Sequence, residues 1–474
     1  NNCSFVQTKI QIMLYSFDDT IIAISTAPGV GAIAVIRLSG SRAIELADKY
    51  FKGKNLQKAA SHTLHFGQLM TKTDEILDEV VVGLFKAPNS YTREDVVEIS
   101  CHGSPYIQQQ IIGLFLADGV RLATPGEYTM RAFLNGRMDL SQAEAVADLI
   151  AAESATGHQI AMRQMRGGFS DELSGLREEL VNFASLIELE LDFGEEDVEF
   201  ANRSQLVELL EKIIHTIDGM IYSFELGNAI KNGVNTVIAG RPNAGKSTLL
   251  NALLNEERAI VSEIAGTTRD TIEEVLILEG IRFRLIDTAG IREAQDQIEA
   301  IGVRKTFEQA SKASILIYVF DVTECSPEQV HEDLEKLNHP NEKTLVIANK
   351  MDLNPYAKPE NYAIGSVSVD NIITASAIHK MNIPYLMSRI TSLVKSGEVT
   401  AGSTIISNSR HLESLTAARE SLHKAKENIQ AGVTGDFIAM DIRNALYHIG
   451  SITGKIDVDQ DILGTIFGRF CIGK

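Results

Sequence analysis

The sequence has no tryptophan, few aromatic residues and only four cysteines among its 474 residues. The cysteines lie far apart and form no Cys-x-x-Cys pair, so neither a disulfide framework nor a zinc site is predicted. This usage is typical of a reducing compartment, and we expect a cytoplasmic protein. Basic residues are also scarce: 44 lysines and arginines stand against 63 aspartates and glutamates, giving a net charge of −19. Because such a charge repels phosphate backbones, any contact with nucleic acid must be a local patch.

Long hydrophobic runs are missing from the sequence as well. The longest apolar stretches, such as residues 315–320, have the length of a strand and fall short of the roughly 20 residues that cross a bilayer. We therefore predict no membrane-spanning segment. Hydrophobic residues make up 44% and charged residues 23%, which indicates globular domains rather than disorder. Residues 1–17 lack an initiating methionine and a clear signal-peptide cleavage site, and we treat them as an extension without an assigned role.

The length predicts several domains, and the hydrophobic pattern changes along the chain. Residues 18–140 alternate short apolar runs with helical stretches and turns, which predicts an α+β domain. Residues 141–230 are rich in alanine, glutamate and leucine at helical spacing, and this pattern returns in residues 396–474. Between them, residues 231–395 alternate β-branched runs with helical segments, as in parallel strands joined by crossover helices. We therefore predict a multidomain α/β and α+β protein whose α/β domain is inserted into a discontinuous helical domain.

A phosphate-binding motif opens the α/β domain. Residues 240–247, GRPNAGKS, match G-x-x-x-x-G-K-[ST] between a predicted strand and a predicted helix. The glycines let the backbone wrap around phosphates, and the N–H groups at the helix start favour negative charge. Lys246 is expected to reach the β- and γ-phosphates, and Ser247 to bind Mg²⁺. The motif predicts a nucleoside triphosphate site.

Further motifs follow at predicted strand ends, in the order of Ras-like GTPases. Asp287 in DTAG is expected near Mg²⁺, and Thr268 in GTTRD is expected to bind Mg²⁺ only when the triphosphate is present. Asp352 in NKMD has a carboxylate that accepts both N1 and N2 hydrogens of guanine, which adenine does not offer. The predicted GTP-binding residues are Asn243, Ala244, Gly245, Lys246, Ser247, Thr248, Ser262, Glu263, Ile264, Ala265, Gly266, Thr267, Thr268, Asp287, Thr288, Ala289, Gly290, Asn349, Lys350, Asp352, Ser376 and Ala377.

The group that orients the attacking water is not the usual one. Ras places a glutamine directly after the Asp-x-x-Gly motif, whereas this chain has Ile291 there. Another side chain must take that role. The acidic residues Glu293, Asp296 and Glu299 follow in the sequence, and spacing alone does not choose among them.

Segments outside the GTPase motifs point to one family. They are TIIAISTAPGVGAIAVIRLSG, NSYTREDVVEISCHG, TPGEYTMRAFLNGRMDLSQAEAVADLI and the terminal FCIGK. Together with GRPNAGKST and AGTTRD they make the chain, from Asp19 to Lys474, resemble the MnmE (TrmE) family of tRNA modification GTPases.

The resemblance implies a homodimer with GTPase domains that meet face to face. It implies that the amino-terminal domain binds a tetrahydrofolate derivative, in the 5-formyl or 5,10-methylene form. It also implies an FAD-dependent partner that forms a heterotetramer or larger assembly with the chain. The two proteins would add an aminomethyl or carboxymethylaminomethyl group at C5 of the wobble uridine of certain tRNAs.

The resemblance further assigns roles to single residues. The folate positions are Arg37, Glu98, Arg137 and Lys474, of which the arginines suit an anionic glutamate tail and Glu98 suits donors on a pterin edge. Glu299 matches the water-positioning acid of the family, and Cys471 is expected to assist the modification step. The potassium ligands implied by the family are Asn243, Ser262, Ile264 and Thr267.

Two other readings compete with a potassium-dependent GTPase in tRNA modification. In one, the chain is a ribosome- or RNA-assembly switch in which GTP controls docking. In the other, the amino-terminal domain is a dimerisation scaffold that binds no folate. The terminal FCIGK and the folate positions favour the potassium-dependent GTPase in tRNA modification. The acidic sequence shows no evident basic RNA-binding domain of the kind that assembly GTPases usually carry.

Overall fold

The computed structural model describes most of the chain: residues 19–192, 203–255, 260–261, 273–287, 308–363, 368–394, 404–455 and 473. The chain divides into two compact units. The first unit comprises Asn1–Ala147, Met165–Ser170 and Gly450–Lys474, and the second comprises Asp148–Gln164 and Asp171–Ile449.

The first unit is built on a seven-stranded sheet with the order β3-β4-β5-β6-β2-β1-β7. Its neighbouring strands are antiparallel except for β1 and β7, which pair in parallel. The strands are β1 (Ile21–Ile24), β2 (Ile33–Ser39), β3 (Phe51–Lys52), β4 (Thr63–Met70), β5 (Ile76–Phe85), β6 (Val96–His102) and β7 (Arg121–Leu122). The helices are α1 (Ala43–Tyr50), α2 (Pro105–Leu116) and α3 (Glu127–Leu134).

One face of this sheet carries the core of the first unit. Residues Ala34, Ile36 and Leu38 alternate along β2 and are buried, as expected for a strand with one covered face. Helices α1 and α2 pack on that face, where the Tyr50 and Phe115 rings meet edge to face with centroids 5.7 Å apart. The period-two pattern in the sequence therefore fixes which side of the sheet is covered.

A charged network joins α3 to the sheet. Arg131 is fully buried and contacts three carboxylates, those of Asp19 at 2.7 Å, Glu127 at 2.9 Å and Glu94 at 3.2 Å. Arg121 pairs with Glu127 at 2.6 Å and with Asp19 at 2.7 Å. A buried arginine is tolerated only when its charge is paired and hydrogen-bonded, so the network fixes α3 against β1 and β7.

The second unit contains another seven-stranded sheet, ordered β14-β13-β12-β8-β11-β10-β9. The strands β14, β13, β12, β8 and β11 run parallel, and β10 and β9 continue the sheet in antiparallel pairing. The strands are β8 (Val234–Gly240), β9 (Ile260–Val261), β10 (Glu273–Leu278), β11 (Ile281–Asp287), β12 (Ile315–Asp321), β13 (Thr344–Asn349) and β14 (Ile372–Thr374). The helices beside them are α8 (Lys246–Leu254), α9 (Pro327–Leu337) and α10 (Ile383–Val394).

Both faces of the parallel strands are covered. Every residue of β12 is buried, which explains the continuous apolar run in the sequence. Residues of α8 and α10 pack on one face, and residues of α9 pack on the other. Consequently the ends of the parallel strands are the open edges where a ligand can bind.

Long helices make up most of the remaining described chain. The helix α7 (Arg203–Asn232) leads into β8 through Gly233, and Gly227 within the helix lets another segment come close. A Cβ at Gly227 would lie 2.1 Å from the carbonyl oxygen of Ile406. The helices are α4 (Leu140–Ala151), α5 (Ala155–Met165), α6 (Gly168–Asp192), α7 (Arg203–Asn232), α11 (Ser409–Gln430) and α12 (Gly435–Thr453).

The predicted fold class is confirmed: a mixed sheet-and-helix region comes first, and a doubly wound α/β region lies between two helical stretches. The predicted boundaries at 140, 230 and 395 stay predictions. Among the described helices, none has the length and apolar composition needed to cross a membrane.

Candidate functional site

The phosphate-binding motif forms a tight loop between β8 and α8. Gly240, Asn243 and Gly245 have positive φ angles of 152°, 60° and 95°. A Cβ at Gly240 would lie 2.0 Å from the carbonyl oxygen of Val319, and one at Gly245 would lie 2.3 Å from Nδ2 of Asn349. Only glycine fits at these two positions, so the loop curls as a phosphate cradle requires.

Lys246 spans this loop from the start of α8. Its Nζ donates hydrogen bonds to the carbonyl oxygens of Gly240 and Arg241, each at 3.1 Å. The residue is buried, and Ser247 and Thr248 follow it in the first turn of the helix. An ammonium group and a helix N-terminus thus converge on one loop, which is the donor set that a triphosphate needs.

Asn349 connects the phosphate loop to the predicted guanine loops. It ends β13, is buried, and donates from Nδ2 to the carbonyl oxygen of Ala244 at 2.8 Å. Its Oδ1 accepts a hydrogen bond from the backbone N–H of Ala377 at 3.0 Å. One side chain therefore holds together three motifs that are far apart in the sequence.

A polar atom in the predicted guanine loops lacks a hydrogen-bond partner among the described residues. Ser376 is fully buried, and its Oγ has no hydrogen-bond partner in the part of the chain that the structure describes. Asp352 is partly exposed on the neighbouring loop, with Oδ2 3.7 Å from Nε2 of His379. A carboxylate and a buried hydroxyl at the same edge fit a ligand that carries donors and acceptors, as guanine does.

Sequence reasoning missed the partner of Lys350. Asp321, at the end of β12, accepts from Lys350 Nζ at 2.6 Å and from the backbone N–H and hydroxyl of Thr323. Burial raises the pKa of Asp321, but these hydrogen bonds outweigh it and hold the pKa below its ordinary value. The charged pair fixes the turn after β13, where Lys350 has a φ of 64°. The sequence did contain a signal for this partner, because Asp321 directly follows the apolar run ILIYVF.

Asp287 ends β11, whose backbone places it opposite Ile238 of β8 and so at the phosphate-loop edge of the sheet. The other predicted residues of the two switch segments lie outside the described residues: Ser262, Glu263, Ile264, Ala265, Gly266, Thr267, Thr268, Thr288, Ala289, Gly290 and the acids Glu293, Asp296 and Glu299.

In the first unit, two predicted folate positions form a cross-strand pair. Arg37 of β2 lies opposite Glu98 of β6, and its Nε and Nη2 donate to Glu98 Oε1 at 2.9 and 2.7 Å. The guanidinium lies 5.5 Å from the ring centres of both Tyr91 and Tyr128. Burial raises the pKa of both tyrosines, so they remain neutral beside the charged pair.

The end of the chain reaches the same pair. The carbonyl oxygen of Gly473 accepts from Ser25 Oγ at 3.1 Å and from Arg37 Nη1 at 3.4 Å. A Cβ at Gly473 would lie 2.1 Å from the carbonyl oxygen of Ile24, so only glycine permits this approach. The flanking predicted residues Cys471 and Lys474 lie outside the described residues.

Arg137 is not brought to this pair by any described contact. It follows the end of α3, where its backbone N–H donates to the carbonyl oxygen of Ala132 at 2.8 Å, and its side chain is exposed. Of the four predicted folate positions, the structure thus brings together Arg37 and Glu98.

The chain is similar to known proteins over nearly its whole length. The family model "GTP-binding protein TrmE N-terminus" matches residues 20–137, and "MnmE helical domain" matches residues 140–471. A protein of Cytophaga hutchinsonii named tRNA modification GTPase MnmE is 52% identical, covering 96% of this chain and 98% of the relative. One of the same name from Flavobacterium psychrophilum is 51% identical, covering 97% and 100%. An Aquifex aeolicus Era structure bound to GDP.AlF4− shares 25% identity at a TM-score of 0.27, covering 40% of this chain and 66% of that one.

Proposed function

The chain belongs to the MnmE family of tRNA modification GTPases, and we propose that it is a potassium-dependent GTPase. Its hydrolysis cycle drives modification at C5 of the wobble uridine in certain tRNAs. The proposal is supported above all by one observation. At one edge of the second sheet, the side chain of Asn349 is hydrogen-bonded both to the phosphate loop and to the second guanine loop. Acting on tRNA, the protein works in the cytoplasm.

The residues of this edge divide the work on GTP. The loop N–H groups and Lys246 bind the phosphates and withdraw charge from the leaving group. Asp352 selects guanine. Mg²⁺ is assigned to Ser247 and Thr268, with the Asp287 carboxylate nearby, and would neutralise charge on the β- and γ-phosphates. Glu299 orients the water.

The proposed potassium ligands include Asn243, whose conformation supports the assignment. A φ of 60° is uncommon for residues other than glycine, and asparagine is one of the few that adopt it readily. Such conformations cluster where a side chain is aimed at a ligand. Bound potassium supplies positive charge beside the phosphates. The remaining proposed ligands are Ser262, Ile264 and Thr267.

The first unit is proposed to bind a tetrahydrofolate derivative, in the 5-formyl or 5,10-methylene form, which supplies the one-carbon unit. Arg37 and Glu98 have side chains 19% and 30% exposed, so a ligand can reach both. Since Glu98 already engages two nitrogens of Arg37, an anionic tail would bind at Nη1, whose contact with Gly473 is the longest. Arg137 and Lys474 complete the proposed site, and Cys471 assists the modification.

A homodimer through the first unit is also proposed. The sheet face opposite α1 and α2 exposes Leu64 and Phe66 of β4 at 73% and 70%, together with Ile33 of β2 at 66%. Exposed apolar side chains on an open sheet face are typical of an interaction surface. A second copy of the chain would cover them. The FAD-dependent partner performs the redox chemistry in a heterotetramer or larger assembly with this dimer.

Arg37→Met is expected to weaken binding of 5-formyltetrahydrofolate by roughly 10- to 100-fold. The reason is that a hydrogen bond to a charged group contributes about 1.5–3 kcal/mol. Titration calorimetry of the full chain measures the effect, with Arg42→Met, an exposed arginine of the same unit, as the matched control.

The proposed dimer is tested separately by sedimentation of Phe66→Lys, which is expected to be monomeric. If the wild type is dimeric but binds no folate, the amino-terminal domain is only a dimerisation scaffold.

A further inference from the structure

The first side chain of the phosphate loop, that of Arg241, is held by a buried carboxylate. Arg241 donates from Nε to Asp333 Oδ2 at 2.7 Å and from Nη2 to Oδ1 at 3.3 Å. Tyr318 donates its hydroxyl to the same Oδ2 at 2.6 Å. Asp333 is 5% exposed and Tyr318 is fully buried. Within the described part of the chain, two side chains bind this carboxylate, and one of them belongs to the loop.

The two anchors of Arg241 are rigid. Tyr318 lies in β12, where its backbone pairs with Ala239 of β8, directly before the loop. Asp333 lies in α9, whose start is fixed by a capping box between Ser326 and Gln329. Strand and helix thus provide a fixed position for the guanidinium.

The fixed position of Arg241 also restricts the backbone at Asn243, two residues further along the loop. Only Pro242 separates Arg241 from Asn243, and the proline ring fixes its own φ. Asn243 adopts a left-handed conformation, which asparagine tolerates better than most residues and which still costs free energy relative to the common backbone regions. On the far side, Asn349 holds the carbonyl oxygen of Ala244 at 2.8 Å. Asn243 is accordingly held from both sides, by Asp333 through Arg241 and by Asn349 through Ala244.

We propose that Asp333, supported by Tyr318, is a positioning residue of the GTPase: it holds Arg241 so that the loop keeps Asn243 aimed at the nucleotide and its monovalent cation. The inference rests on the proposed function for the role of Asn243. Nothing in the chemistry of the known GTPase motifs requires this carboxylate, which lies on a helix outside them. Its contribution is to the geometry of binding rather than to bond cleavage.

The test is Asp333→Asn, which keeps the shape of the side chain and removes its charge. Release of a fluorescent GDP analogue from the full chain should become about tenfold faster, because relief of backbone strain of this kind is worth about 1–3 kcal/mol. The KM for GTP and the potassium concentration for half-maximal activity should rise about tenfold, with kcat at saturation nearly unchanged. Tyr318→Phe should show the same pattern at roughly two- to threefold.

Glu335→Gln, on the exposed side of α9, is the matched control and should leave all three values unchanged. A lower melting temperature of Asp333→Asn with wild-type GDP release and potassium response would overturn the proposal, since the network would then serve only the fold. If Asp333→Asn does not fold, unchanged GDP release in Tyr318→Phe overturns it equally. If the wild type hydrolyses GTP equally fast in potassium and in sodium, the proposed potassium dependence is wrong. GDP release by Asp333→Asn still decides the role of Asp333 in that case.

Discussion

Asp352→Asn is expected to weaken GTP binding by roughly 100- to 10,000-fold while creating affinity for xanthosine triphosphate. The carboxylate of Asp352 is proposed to accept two hydrogen bonds, from N1–H and the N2 amino group of guanine. Each such bond to a charged group contributes about 1.5–3 kcal/mol, and tenfold in affinity corresponds to about 1.4 kcal/mol. Asparagine offers one acceptor and one donor, which matches the N1–H and C2 carbonyl of xanthine.

Equilibrium binding of fluorescent GTP and xanthosine triphosphate analogues measures this change of specificity. Asp370→Asn is the matched control, because Asp370 is an exposed aspartate of the same region and lies in a separate turn. Wild-type GTP affinity in Asp352→Asn would show that the base is read elsewhere. Loss of both nucleotides would indicate a damaged site instead of an altered one.

Arg131→Met is expected to lower the free energy of opening of the first unit by about 3–5 kcal/mol. The substitution keeps most of the buried volume but removes the cation that Glu94 and Glu127 share, so that Glu127 keeps only its pair with Arg121. Removing one partner of a buried ion pair costs about this much. Because a chain with several units does not unfold in one step, hydrogen exchange resolved to β1, β2 and β6 is the suitable measurement.

Arg42→Met provides the control, since Arg42 forms an exposed pair with Glu45 at 3.9 Å and should change the opening free energy by less than about 1 kcal/mol. An Arg131→Met protein with wild-type exchange would contradict the account of the network.

The charged network around Arg131 also makes the stability of the first unit depend on pH. Burial raises the pKa of Asp19 and Glu127, but their contacts with Arg121 and Arg131 outweigh it and hold both pKa values below the ordinary ones. A depressed pKa in the folded state stabilises the protein above the unfolded pKa of about 4, and this contribution is lost as pH falls through the folded value. The difference between wild type and Arg131→Met should therefore shrink below about pH 4.

Local sequence patterns were sufficient for much of the fold and of the nucleotide site. The apolar run at 315–320 is β12, and the GRPNAGKS segment forms the expected strand-loop-helix because its glycine positions allow few alternatives. Covered strands and glycine-dependent turns are encoded by residues that are adjacent in the sequence.

Side-chain networks between distant residues were not predictable in this way. Arg131 and Asp19 are separated by 112 positions, and Arg241 and Asp333 by 92. A hydrophobic or charge periodicity within one helix or strand therefore cannot predict these pairs. Arg131 within a helical segment is indistinguishable from a solvent-exposed arginine by spacing alone. The approach of Gly473 to Arg37 depends on the folded position of the chain end, and the family resemblance was its only indication.

The most direct test of the central claim is the rate of GTP hydrolysis by the full chain in potassium and in sodium at equal ionic strength, with Glu299→Ala and the exposed control Glu342→Ala alongside. We predict hydrolysis roughly 10- to 100-fold faster in potassium, a loss of about 100-fold or more in Glu299→Ala, and a wild-type rate in Glu342→Ala. Equal rates in the two cations, with Glu299→Ala unaffected, would contradict the account and return the chain to the reading of an assembly switch.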